Sequence, residues 1–219
     1  MIKKTLLAAL AASAMMAGSA SAATIFKQNF SSGLGANESV GGKFSVAGGT
    51  VGHQTNVYTN NEYSYYQVRL DLTHATDALL AFDFDIDSEY GYDALNLAFS
   101  TNGVFGPSKM LTPTSSDGYY NLSGRAATLM GGKGYSGDQS GHAVFDLSSL
   151  VGQVVDIRFQ FASDYAASKR GVKIDNLLVT GALPSAVPEP ATWAMMITGF
   201  GLAGGAIRAR RRGFAPTAA

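Results

Sequence analysis

The sequence predicts an all-β fold of two packed antiparallel sheets, and three observations predict it. Several runs alternate apolar and polar residues, clusters of Gly, Asn, Ser and Asp separate those runs, and the body of the chain carries no long helical period. A period of two puts alternate side chains on opposite faces, so each strand turns one face to a core and one to water. Two such sheets bury their apolar faces against each other.

Each strand follows from its own pattern. Tyr66, Val68, Leu70 and Leu72 share one face of the first. From Ala78 to Asp87, Leu80, Phe82, Phe84 and Ile86 point one way and Ala81, Asp83, Asp85 and Asp87 the other. Leu95, Leu97 and Phe99 form a third case. Val155, Ile157, Phe159 and Phe161 point inward from the run Val154 to Phe161, with Asp156, Arg158 and Gln160 outward. Ile174 to Val179 closes the set. Gly48-Gly49, Asn60-Asn61, Thr101-Asn102-Gly103 and Ser115-Ser116-Asp117-Gly118 supply turns. Ser123 to Gly141, rich in Gly and Ser, is expected as a long loop at one end of the sandwich.

The two ends differ from this body. Lys3 and Lys4, an apolar stretch from about Leu6 to Ala17, and the small-x-small triplet Ala20-Ser21-Ala22 form a secretory signal peptide, residues 1–22, cut before Ala23 by signal peptidase. At the other end Pro188-Glu189-Pro190 precedes an uncharged run from Thr192 to Ile207, then Arg208, Arg210, Arg211 and Arg212. That order predicts a single transmembrane helix over 191–207 with a basic cytoplasmic tail over 208–219. Trp193 would lie at the headgroup level. The 16 residues from Thr192 to Ile207 span roughly 24 Å as a helix, short for a bilayer core of about 30 Å, so snorkelling arginines and local thinning would have to help. The prolines lack backbone donors, so the triplet, in a linker over 183–190, is expected to be extended and open to a protease.

This C-terminal segment resembles the PEP-CTERM sorting signal of Gram-negative bacteria, also known as the ice-binding-protein C-terminal domain. The resemblance implies recognition of the triplet by an exosortase in the inner membrane, transient anchoring there, and then display on the cell surface or outside the cell, often beside exopolysaccharide.

With both ends set aside, about 160 residues remain, one β-sandwich domain over 23–182 and enough for a real core. The formal net charge of zero hides an asymmetry: between Ala23 and Val187 there are 10 Lys/Arg against 15 Asp/Glu, a net of −5. An acidic exported domain is a poor partner for nucleic acid and is compatible with calcium. The chain has no cysteine, which excludes disulfides and thiol chemistry.

ALLAFDFDIDSEYGYDALNLAFSTNG, FDLSSLVGQVVDIRFQFASD and GVKIDNLLVTG, in that order between Ala78 and Gly181, resemble the jelly-roll domains of the MAM and immune-inhibitor-A type. The resemblance implies a jelly-roll-like antiparallel β-sandwich. It also implies a calcium ion near the step after the F-D-x-D strand, on Glu89, Asp93 and Asp175. Two departures stand out: the family's tryptophan beside the S-T-(D/N)-G turn is missing, and the closing acidic pair is Asp175-Asn176.

Catalytic motifs are scarce. His53, His74 and His142 are scattered, and neither H-E-x-x-H nor G-x-S-x-G occurs. A carboxylate pair of the glycosidase kind could be drawn from Asp83, Asp85, Asp87, Glu89 and Asp93, but alternating aspartates on a strand are also what a solvated face carries. Tyrosines such as Tyr63, Tyr65, Tyr66, Tyr90, Tyr92, Tyr119, Tyr120, Tyr135 and Tyr165 could stack on sugar rings, yet the one tryptophan, Trp193, belongs to the tail. The expectation is a non-enzymatic exported protein with a structural or adhesive role in the envelope or exopolysaccharide layer. A carbohydrate-binding module of jelly-roll fold is the alternative, and a degenerate hydrolase accessory domain the third reading.

Overall fold

A computed structural model describes residues 22–54, 57–183 and 190–212, with side chains over 193–209 in the last segment. The strands are β1 (Ala22–Gln28), β2 (Glu38–Gly41), β3 (Ser45–Ala47), β4 (Thr50–Gly52), β5 (Tyr63–Asp71), β6 (Leu79–Asp87), β7 (Ala94–Ser100) and β8 (Tyr119–Asn121). After them come α1 (Gly124–Met130), β9 (Lys133–Tyr135), β10 (Asp138–Asp146), β11 (Val154–Ala162), β12 (Gly171–Ala182) and α2 (Pro190–Arg212).

Two six-stranded antiparallel sheets form. The first runs β10-β6-β12-β4-β3, with β1 also on β12, and the second runs β2-β5-β11-β7-β9-β8. The chain changes sheet at every step from β4 to β7, and again from β9 through β10 and β11 to β12. The order β10-β6-β12-β4 facing β9-β7-β11-β5 is the jelly-roll arrangement that the motif order implies.

The periodic runs form the core as expected. Leu80, Phe82, Phe84 and Ile86 of β6, Tyr66, Val68 and Leu70 of β5, and Val155, Ile157, Phe159 and Phe161 of β11 are all buried. Phe82 ties the two sheets together. It stacks on Phe145 with ring centroids 5.9 Å apart and meets Phe159 edge-on at 4.9 Å. The aspartates of β6 face out, as the alternation requires: Asp83 meets His142 at 2.7 Å, Asp85 meets Arg170 at 2.5 Å, and Asp87 meets Lys169 at 3.5 Å. On this face each carboxylate has a basic side chain beside it, the pattern of a solvated strand face.

One segment departs from expectation. Ser123 to Gly141 is not a long loop; it holds α1, β9 and the start of β10. A seven-residue helix is marginal by itself. This one is held by Ala126 and Met130, which bury with Leu122, Ala94 and Ala162 in a second small core on the outer side of the second sheet. It stops at Gly131, whose φ of 68° is left-handed backbone that glycine adopts without strain. The four short strands before Tyr63 also lack a long alternating run in the sequence; β1 gains its place by pairing along β12, from Ala22↔Ala182 to Gln28↔Leu177.

Candidate functional site

At one end of the sandwich, the turn between β6 and β7 carries Glu89 and Asp93. The backbone amides of Tyr92 and Asp93 donate to the Glu89 carbonyl at 3.2 and 3.0 Å. Ser88 Oγ and Ser136 Oγ each donate to the Asp93 carbonyl at 2.8 Å, which fixes the turn against β9. The register Ala94↔Ala162 between β7 and β11 then brings Asp164, two residues past the end of β11, alongside Asp93. Carboxylate oxygens of Glu89, Asp93 and Asp164 lie within 4.8 Å of one another.

The cluster is largely dry. Asp93 is 0 % exposed and Asp164 5 %. Asp93 accepts from the Tyr58 hydroxyl at 2.6 Å and from the Asp164 amide at 2.8 Å. Burial pushes its carboxyl up to about 6, and the charges of Asp164 and Glu89 push the same way, against the two hydrogen bonds. Burial also raises the Tyr58 phenol, so it remains a donor. Glu89 Oε2 is a buried oxygen with no hydrogen-bond partner among the described residues. Three carboxylates converge with no ion-pair partner among the described residues, an arrangement that a hard divalent ion would neutralise.

Glu62 shows the opposite case nearby. Burial alone would raise it, but His53 Nε2 at 2.7 Å, Ser64 Oγ at 2.5 Å and the Thr59 amide at 2.8 Å hold it down at about 2. His53 Nδ1 accepts from the Val172 amide at 3.0 Å, so Nε2 carries the proton toward Glu62. This is a satisfied core histidine.

Of the three residues expected to hold calcium, Glu89 and Asp93 come together and Asp175 does not. Asp175 lies in β12 opposite Asp83, beside a bulge where Asn176 has a φ of 51°. Its neighbour Ile174 points into the core, so alternation sends Asp175 to the outer face of the first sheet, and its Oδ1 accepts from the Asn176 amide at 2.6 Å. Asp164 takes the third place. The residues F-A-S-D stood in the sequence as the end of a strand, but only the strand register reveals what that aspartate meets.

Exposed tyrosines rim this end. Tyr90 is 62 % exposed, and its ring centroid is 4.9 Å from that of Tyr120. Tyr92 and Tyr165 are exposed too, whereas Tyr66, Tyr119 and Tyr135 are core residues.

At the C-terminus, α2 runs for 23 residues and starts at Pro190. Pro190 is therefore the first helical residue rather than part of an extended triplet, a position where a missing N–H costs nothing. Pro188 and Glu189 lie outside the described residues, as does Ala20 of the cleavage motif. Ala22 and Ala23 open β1, so cleavage before Ala23 would remove one pair of that ladder. Trp193, Met195, Phe200 and Leu202 are exposed on α2, as is Arg208; Arg210, Arg211 and Arg212 complete the helix. No helix among the described residues is long and apolar enough to cross a membrane. The run 191–207, expected as the membrane segment, lies within this helix.

Among solved structures, the body is similar to the K3 cleaved adhesin domain of Lys-gingipain from Porphyromonas gingivalis W83, with 14% identity over 73% of this chain and 100% of that one, at a TM-score of 0.43. It is similar to lectin I-B4 from Griffonia simplicifolia in its metal-free form, with 12% identity over 74% of this chain and 100% of that one, at a TM-score of 0.45. It is also similar to a family 11 carbohydrate-binding module from Clostridium thermocellum in complex with a β-1,3-1,4-mixed-linked tetrasaccharide, with 15% identity over 72% of this chain and 95% of that one, at a TM-score of 0.36. Likeness at that level carries no information about ligands. No curated protein matches the chain at a significant level. Residues 186–212 match the PEP-CTERM protein-sorting motif, so this chain is an antiparallel β-sandwich followed by an exosortase sorting signal.

Proposed function

We propose that this is an exported, non-enzymatic protein, delivered to the cell surface or extracellular matrix through its C-terminal signal, with an adhesive or structural role in the envelope or exopolysaccharide layer. The observation that carries the reading is the sorting-motif match over 186–212, set directly behind a sandwich that ends at β12. Signal peptidase removes the N-terminal leader. The tail then engages the inner membrane: Trp193 lies at the interface and the arginines stay on the cytoplasmic side, where they hold the triplet outside for the exosortase. A helix whose uncharged run is this short suits a temporary hold better than a permanent one. Replacing Arg208, Arg210, Arg211 and Arg212 together with Ser tests this by cell fractionation. The expected result is a several-fold loss of processed protein from the surface fraction; unchanged processing and fractionation would overturn the reading.

Calcium is the ion this reading assigns to Glu89, Asp93 and Asp164. The donors are all hard oxygens, and the orphaned Glu89 Oε2 fits an ion that supplies its missing partner. When bound, the ion supplies positive charge, and these residues then hold the β6–β7 turn to the segment after β11.

A carbohydrate-binding module is the second reading, favoured by the exposed Tyr90–Tyr120 pair with Tyr92 beside the same turn. Glycan-array binding by the full chain that is lost in Tyr90→Ala supports it, and an array with no binding removes it.

A further inference from the structure

The outer face of the second sheet holds a cleft that the reading above does not use. Its floor follows from strand register: Arg158 and Gln160 of β11 lie on the outer face of the sheet, opposite Gln67 and Tyr65 of β5, with Arg158 half-buried and Gln160 covered. The segment after β7 and helix α1 form the walls, so that Tyr63, Phe105, Met110, Arg125, Arg158 and Gln160 surround about 410 Å³.

Arg158 is held in a fixed plane. Its guanidinium lies 4.2 Å from the Tyr65 ring centroid and 3.8 Å from that of Phe105. Its Nε and Nη2 both donate to Gln67 Oε1, at 3.1 and 2.7 Å. Two rings and one amide thus orient the group, while Nη1 makes no hydrogen bond among the described residues. Arg125 donates through Nη1 to the carbonyls of Glu62 and Ser163 at 2.7 and 2.9 Å.

Both arginines are half-buried. Among the described residues neither has a carboxylate in ion-pair range, whereas Arg69 is paired with Asp156 and Arg170 with Asp85. Withdrawing a guanidinium from water without neutralising it is unfavourable. Two such groups in one cleft of a net-acidic domain are matched by an anion from outside.

We propose that this cleft binds a carboxylated sugar, a uronate unit of an acidic polysaccharide. The Nη1 end of Arg158, left open by the bonds of Nε and Nη2 to Gln67, can donate to a carboxylate. Tyr63, whose hydroxyl donates to Gln160 Oε1 at 2.7 Å, keeps an acceptor for a ring hydroxyl. An acidic peptide fits less well. The central strand β11 is paired on both sides, with β5 and with β7, so the cleft offers no free backbone edge for an added strand. The inference names the ligand class for the adhesive reading and rests on that reading for access to polysaccharide.

The test titrates the full chain in mild detergent with oligogalacturonate, with its methyl-esterified form and with polyglutamate. The acid form is expected to bind at least tenfold more tightly than the ester or the peptide, and more weakly as salt rises. Arg158→Gln and Arg125→Gln are each expected to weaken that binding at least tenfold with the melting temperature unchanged. If a variant fails to fold, the acid–ester contrast in the unaltered chain decides. Equal binding of acid and ester, polyglutamate binding as tight as the uronate, affinity unmoved by both substitutions, or no binding at all would each overturn the proposal. Surface fractionation of the same chain reports on sorting separately, so loss of uronate binding with normal display leaves the wider reading intact.

Discussion

Asp87 and Glu89, with only Ser88 between them, belong to two acidic regions with opposite physics. Asp83, Asp85 and Asp87 stand on the outer face of β6, and each has a basic side chain beside it: His142, Arg170 and Lys169. Glu89, Asp93 and Asp164 turn toward one another at the end of the sandwich with no cation among the described residues. The side-chain type is the same; the difference is whether the pleat or the turn aims it. On the strand, alternation spreads the charges and exposes them to counter-charges. In the turn, hydrogen bonds from Ser88 and Ser136 to the Asp93 carbonyl fold the backbone so that its carboxylate points inward. Acidity alone therefore says little about ion binding, and convergence without compensation says much more.

The contrast is sharpest where a group is removed. Asp93→Ala leaves the Tyr58 hydroxyl and the Asp164 amide without their acceptor, and is expected to destabilise by about 2–4 kcal/mol in chemical denaturation. An effect as small as that of an outer-face substitution would erase the distinction. Calcium is expected to raise the melting temperature of the unaltered chain, with about 2.7 kcal/mol gained at a hundredfold excess over Kd. Asp164→Asn should abolish that gain, and a thermal scan in which chelator changes nothing removes the ion.

Proton linkage gives a third, smaller effect. Asp93 has a folded value of about 6 against an ordinary 3.8, so the folded state holds its proton more tightly. Without calcium, this group's contribution to stability falls as pH rises from about 4 to about 6, and the penalty is complete above that. Bound calcium should flatten the slope. Glu62 works in a separate window: its depressed value of about 2 gives stability that is present above about 4.5 and lost as the solution is acidified toward 2. Melting curves across this range, with chelator and with calcium, distinguish the two. The smallest effect belongs to the outer face. Arg170→Gln breaks an exposed pair with Asp85 and is expected to cost below about 1 kcal/mol.

Much of the sandwich was legible because its strands are half-buried and period two marks that directly. The runs at Leu80–Ile86 and Val155–Phe161 fall on β6 and β11, with the apolar set inside. What was not legible depends on partners far away in the chain. Helix α1 is too short to show a period and exists because Ala126 and Met130 find Ala94 and Ala162. Asp164 joins Glu89 and Asp93 through the register of β7 on β11, which no local pattern encodes. Asp175 does not join them for the same reason, since alternation along β12 sends it to the outer face of the first sheet, opposite Asp83. Arg158 looked like an ordinary outward strand residue; only Tyr65 and Phe105 on either side of it make it a fixed, uncompensated charge. The sorting tail was readable because a linear signal is recognised as sequence, without a fold to assemble it.

The central claim is that the tail is an address, removed or exchanged once it has been read. Intact-mass analysis of the protein recovered from outside the cell tests this most directly. The account predicts a chain that begins at Ala23 and lacks everything beyond the Pro188-Glu189-Pro190 region, with any added mass attached at the new end. A surface-exposed product that still carries Arg208 through Ala219 would contradict it.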